Sequence, residues 1–299
     1  MGARARLRAR ERDLRHRRHP DLCVSRQLRC FFHRSFFALS EEGYPTGVAG
    51  VPPDYFSADG QKWGNPLYNW ENMKEDGYGF WRARIRHMLS LFDGIRLDHF
   101  RGFDSYFDIP AKAENARSGT WREGPRFPFI DMLKEEAGGA LLIAEDLGEL
   151  FPSVEELLVY SGFPGMRVFA FALDGENSPH IPHRYPHNTV AYSGTHDNNT
   201  LLGFLMDLSE EKRLAYYRYC GYRGNDLRMG SLAAIETLYA SHAGLLILPI
   251  QDLLLHGGDT RFNTPGKAGG NWRYRVTREQ LLSINKNYYF ELAERYGRK

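Results

Sequence analysis

The sequence predicts an α/β fold built from parallel βα units, and three observations predict it. Short apolar, β-prone runs alternate with helical patterns from about residue 41 onward. Three of these runs end in an acid that opens a polar loop: Gly94-Ile-Arg-Leu-Asp98, Leu141-Leu-Ile-Ala-Glu145 and Val190-Ala-Tyr-Ser-Gly-Thr-His-Asp197. Their separations approximate one βα unit or a small multiple of it. In a parallel barrel the C-terminal strand ends open on one face, so acids far apart along the chain are expected to converge.

Residues 44–69 are rich in Gly, Pro and aromatics and are expected to form an irregular loop, too apolar for an idle linker. A helix is expected over about 77–92, where Phe80/Trp81, Ile85, Met88/Leu89 and Phe92 recur at helical spacing before Gly94. Strand 94–98 follows, then a long loop. Pro128–Ala137 reads as a helix stopped by Gly138-Gly139, feeding strand 140–145. Ser153-x-x-Glu156 reads as a capping box for a short helix ended by Gly162. Met166–Ala172 and Thr189–Ser193 read as buried strands, followed by helices near 209–220 and 226–243. The last strand is Leu245–Ile250, terminated by Gln251-Asp252, with a Gly-rich loop over Gly257–Asn271. Thr277-x-x-Gln280 opens a helical tail. About five strands are legible, fewer than the eight of a closed barrel.

The 299 residues suffice for a large α/β core. No apolar run reaches the length of a membrane span, and the basic N-terminus has no signal-type apolar stretch, so a cytoplasmic protein is expected. Cys23, Cys30 and Cys220 lack metal or disulfide spacing. The net charge of +2 hides an asymmetry: residues 1–40 hold eleven Arg against three acids, a net +8, which leaves −6 for the rest. That acidic body gives no reason to expect nucleic acid as a partner. No feature of the sequence specifies an oligomeric state.

Three converging carboxylates meet the demand of retaining α-glycoside cleavage for a nucleophile, an acid/base and a charge stabiliser. Arg96 and Asp98 share one strand face, where the guanidinium favours the ionised acid; a purely structural Asp–Arg pair is the competing account, and spacing alone leaves both open. Glu145, leaving an apolar strand, suits a raised pKa and a proton-donating role, although an acid merely topping a strand would look the same. For Asp197, within His196-Asp197-Asn198-Asn199-Thr200, the plain alternative is a helix N-cap. Trp63, Tyr55 and Phe56, close to Asp54 and Asn65, suit either a sugar platform or a core under a loop. No Walker, His-metal or nucleophile-elbow pattern is present.

At these motifs the chain resembles 4-α-glucanotransferases of the amylomaltase type. The matching text includes Gly50-Val-Pro-Pro-Asp-Tyr-Phe-Ser, Trp63-Gly-Asn-Pro-Leu-Tyr, Arg96-Leu-Asp-His-Phe-Arg-Gly-Phe, Ala144-Glu-Asp-Leu-Gly, Gly194-Thr-His-Asp-Asn, Pro249-Ile-Gln-Asp and Arg261-Phe-Asn-Thr-Pro-Gly, over about residues 41–299. The resemblance implies a (β/α)₈ barrel of the α-amylase clan, with Asp98 as nucleophile, Glu145 as acid/base and Asp197 as transition-state stabiliser. Arg96 and His196 would surround the first donor sugar. Asp54, Tyr55 and Trp63 would belong to a loop over the sugars, and Asn263 to the loop after the last strand. The partners implied are maltooligosaccharides and starch- or glycogen-derived α-glucans, with no cofactor and no metal. A glucan hydrolase of the same clan and a truncated, non-catalytic glucan-binding remnant are the alternatives.

The departure from the family lies at the front. Residues 19–24 read His-Pro-Asp-Leu-Cys-Val, which is what a family stretch Asp-Ile-Pro-Ile-Tyr-Val encodes in common codons read two bases late. Residues 1–40 are therefore expected to be a non-family segment, disordered or out-of-frame to about residue 38. Residues 41–299 would form the C-terminal part of a barrel lacking its first strands, with poor turnover as the expected consequence.

Overall fold

The Gly- and Pro-rich stretch at 44–69 does not stay irregular. In the computed structural model, which describes residues 33–298 apart from 54–56, 149, 176, 266 and 268, it yields β1 (Gly47–Val51) and β2 (Gln61–Pro66), paired antiparallel with Gly50 opposite Lys62. The prolines bound these strands instead of interrupting them: Pro52 and Pro53 follow β1, and Pro66 ends β2 at the sheet edge, where a missing N–H is tolerated. Gly50 permits the close approach, since a Cβ there would lie 2.1 Å from the Gln61 carbonyl oxygen.

The chain divides into two units, Met1–Gly165 and Met166–Lys299. In the first, helix Gly79–Leu91 buries Trp81 and Ile85 and leads into β3 (Gly94–Leu97). The long loop expected next contains a 3₁₀ turn, Phe100–Phe103, and two further strands, β4 (Ser105–Pro110) and β5 (Thr120–Glu123). They extend the antiparallel sheet to the order β2-β1-β4-β5. Helix Arg126–Ala137 stops at left-handed Gly138, as expected, and β6 (Leu141–Ala144) pairs parallel with β3. The capping box at Ser153 does not form. Pro152 opens the helix two residues earlier than that box requires, with Phe151 as the N-cap and Ser153 inside the first turn, where its hydroxyl donates to Asp104 Oδ2 at 2.9 Å. Trp81, Phe100, Phe103, Phe129 and Leu142 form the centre of this unit's core, to which Phe37 also belongs.

The second unit is organised on β7 (Gly165–Val168), β8 (Thr189–Tyr192) and β9 (Leu245–Ile247), in that order, with β8 and β9 parallel. The strand expected to run to Ala172 ends at Val168 in a 3₁₀ turn, Phe169–Phe171. The last strand stops before Pro249, after which Ile250–Leu253 coils into a short helix. Helices Leu201–Asp207, Glu210–Tyr219 and Leu227–Tyr239 separate β8 from β9 around Phe169, Tyr217, Ile235 and Leu238. The Thr277–Gln280 capping box is present in both directions. The architecture is α/β, and all five strands read from the sequence occur. Among the described residues no helix is long and apolar enough to cross a membrane.

Candidate active site

Parallel register brings two of the predicted acids side by side. Leu97 at the end of β3 pairs with Ala144 at the end of β6, so Asp98 and Glu145 are the next residues on neighbouring strands. The backbone then laces them together. Glu145 N–H donates to the Leu97 carbonyl at 2.9 Å, and Phe100 N–H donates to the Glu145 carbonyl at 3.0 Å. His99, at a left-handed φ of 52°, turns its own N–H onto Glu145 Oε2 at 2.7 Å, and Leu147 N–H reaches Oε1 at 2.9 Å. A non-glycine residue in that region stores about 1 kcal/mol or more of strain.

Asp98 is buried and ion-paired through Oδ1 with the partly buried Arg96, as the period-two spacing predicts. Burial first, and the Asp98 charge second, raise the pKa of Glu145 above the usual carboxylate range; Arg96 and the two backbone N–H donors oppose the rise. The pair therefore splits into one guanidinium-bound carboxylate and one carboxyl with raised proton affinity. Trp63, from β2, lies edge-on to the His99 ring at 5.2 Å. Asp54 and Tyr55 fall outside the described residues.

Asp197, His196 and Asn263 meet in the second unit. The N-cap reading of Asp197 is replaced: Thr200 caps helix Leu201–Asp207, accepting from Gly203 N–H at 3.1 Å. Asp197 is instead gripped by the loop after β9. Asn263 Nδ2 donates to its Oδ1, and an Arg261 guanidinium nitrogen donates to its carbonyl at 2.5 Å. His196 Nε2 sits 3.1 Å from Asp197 Oδ2, and its ring lies 5.4 Å from that of Trp272. Asn263 is buried, and its Oδ1 has no partner among the described residues. Sequence reasoning passed over Arg261, Trp272, His99 and the Gln251-Asp252 pair. For Arg261, His99 and the Gln251-Asp252 pair the signal was present in the motifs Arg261-Phe-Asn-Thr-Pro-Gly, Asp98-His-Phe and Pro249-Ile-Gln-Asp, whereas Trp272 lies outside them. Among the described residues no cluster of three His, Cys, Asp or Glu is placed to hold a metal ion.

A family model for 4-alpha-glucanotransferase matches residues 24–281. The chain belongs to the 4-α-glucanotransferase family. It is 42% identical to the 4-alpha-glucanotransferase of Thermus thermophilus over 255 residues, which cover 83% of this chain and 51% of that protein. It is 39% identical to the chloroplastic/amyloplastic family member of Arabidopsis thaliana over 270 residues, 89% of this chain and 46% of that one. The chain thus spans about half the length of the curated relatives it matches. Among solved structures, the amylomaltase from Streptococcus agalactiae in complex with acarbose superposes with a TM-score of 0.88 at 35% identity, covering 93% of this chain and 56% of that one. The amylomaltase from Corynebacterium glutamicum, at 20% identity and a TM-score of 0.70 over 92% of this chain and 45% of its own, shows the shared fold.

Proposed function

We propose that this chain carries the chemistry of a retaining 4-α-glucanotransferase, moving α-1,4-glucan segments between maltooligosaccharides. The observation that supports it most is the divided pair: Asp98 bound to Arg96 beside a Glu145 whose carboxyl is pushed toward its protonated form. An Asp98 carboxylate oxygen attacks the anomeric carbon and the glycosidic C–O bond breaks, while the Glu145 proton goes to the leaving 4-oxygen. An acceptor 4-hydroxyl then gives its proton to Glu145, and its oxygen displaces Asp98 from that carbon. Two inversions leave the α configuration. Asp197, held by Asn263 and Arg261, stabilises the cationic transition state, with His196 and Arg96 on sugar hydroxyls and Trp63 as a stacking surface. Starch- and glycogen-derived glucans are the substrate class. The acarbose bound by the Streptococcus agalactiae relative supports an oligosaccharide site. The finer fold reading, a (β/α)₈ barrel, belongs to the same proposal: the parallel β3–β6 pair of one unit and the parallel β8–β9 pair of the other are of the kind from which such a barrel is built.

Incubation of the purified chain with maltotriose tests the function. Slow formation of longer oligomers plus glucose, absent in Asp98→Asn, is the expected result. Glucose and maltose without longer products would reassign the chain as a hydrolase, and unchanged maltotriose would make it a non-catalytic remnant.

A further inference from the structure

Asp252 is a buried acid for which the proposed chemistry has no use. It sits beside Gln251 on the short helix Ile250–Leu253 after β9, and both side chains are removed from solvent. Its Oδ2 accepts from Ser193 Oγ at 2.5 Å and its Oδ1 from Leu201 N–H at 2.7 Å. Ser193 follows β8 and Leu201 opens the next helix, so one carboxylate ties down both ends of the segment that carries His196 and Asp197. Gln251 reaches the other loop. Its Nε2 donates to the Thr260 carbonyl at 3.1 Å, just before Arg261 and Asn263, the two residues that grip Asp197.

A packing role alone is a poor account of this pair. Burial pushes the Asp252 carboxyl up to about 6, and Gln251 Oε1 is buried with no partner among the described residues. An apolar pair would fill the same space without either penalty, but it would orphan the Ser193 hydroxyl and the Leu201 N–H, so what the polar pair adds is the tie between loops. We propose that Gln251 and Asp252 are positioning residues, which hold the 193–201 and 257–263 loops in register so that the Asp197 carboxylate keeps one orientation. The inference rests on the reading of Asp197 as the transition-state stabiliser.

The test is ¹⁹F NMR of the chain labelled with 5-fluorotryptophan, with the Trp272 signal assigned through Trp272→Phe. Trp272 contacts His196 and so reports on this loop. In Asp252→Leu the Trp272 signal is expected to shift or broaden while those of Trp63, Trp70, Trp81 and Trp121 stay in place. Asp252→Asn keeps an acceptor for Leu201 N–H and a polar partner for Ser193, and is expected to return the signal to its native position. If Asp252→Leu fails to fold, Ser193→Ala decides, since it deletes a single hydroxyl. A native Trp272 signal in Ser193→Ala and in a folded Asp252→Leu overturns the proposal. So does an equal shift of all five signals in Ser193→Ala, which would mark loosened packing in place of loop positioning. Maltotriose assays on the same samples separate the two claims: a selective Trp272 shift in variants of a chain that never turns over maltotriose upholds the positioning of the loop and rejects only the turnover proposed for this chain.

Discussion

Glu145 owes its raised proton affinity first to burial and second to Asp98, against the pull of Arg96 and of two backbone N–H groups. Each neighbour can be removed singly. Asp98→Asn deletes the negative charge and is expected to lower the Glu145 pKa, whereas Arg96→Met deletes the positive one and is expected to raise it further; carboxyl ¹³C titration reads both, and equal values in the two variants would refute this origin of the shift. The linkage has a definite sign. Because the folded pKa lies above the unfolded value of about 4.3, the stabilisation is complete below that pH and fades as pH climbs through the folded value. Asp252 offers the same sign with a number. With a folded pKa of about 6 and an unfolded one of about 3.9, the wild type is expected to gain about 1 kcal/mol over Asp252→Asn between pH 7.5 and pH 5. Urea unfolding at both pH values measures it, and a constant difference between the two proteins would contradict a buried, titrating Asp252.

Elements were legible where their chemistry is local. The helix over 79–91, the stop at Gly138 and the Thr277 capping box follow from spacing, backbone freedom and reciprocal side-chain bonds within a few residues. The antiparallel sheet was not legible, because its glycines and prolines read as loop signals until the partner strands are known. Gly50 works in β1 only because Gln61 and Ile109 approach so closely that a methyl has no room. Gly50→Ala is therefore expected to push β1 from its neighbours and cost about 1–3 kcal/mol in chemical denaturation; an unchanged unfolding midpoint would show that the sheet relaxes freely. Ser153 failed as a cap for a related reason: Pro152 moved the helix start, and Asp104, distant in sequence, supplied a better partner.

At the scale of the molecule the three acids divide between the units, Asp98 and Glu145 in one and Asp197 in the other. The proposed nucleophile has a direct test. Incubation with a 5-fluoro-α-glucosyl fluoride, which slows breakdown of a glycosyl–enzyme ester, is expected to add one sugar mass to the tryptic peptide Leu97–Arg101. Asp98→Asn should abolish the adduct. Modification of the peptide carrying Glu145 would instead reverse the two roles.

The sequence by itself determined the family, the places of five strands and the three acids that follow three of them, because motif text and strand periodicity are properties of a few adjacent residues. Arg96 beside Asp98 was legible too, from their period-two spacing, but only the tertiary structure decided which groups hold Glu145 and Asp197. The β3–β6 register set Asp98 against Glu145, the His99 N–H turned onto Glu145, and Asn263 and Arg261 took Asp197 away from a capping role. The physical reason is range: proton affinity and side-chain orientation are set by charges, donors and burial within a few ångströms, and here those neighbours lie tens of residues away along the chain.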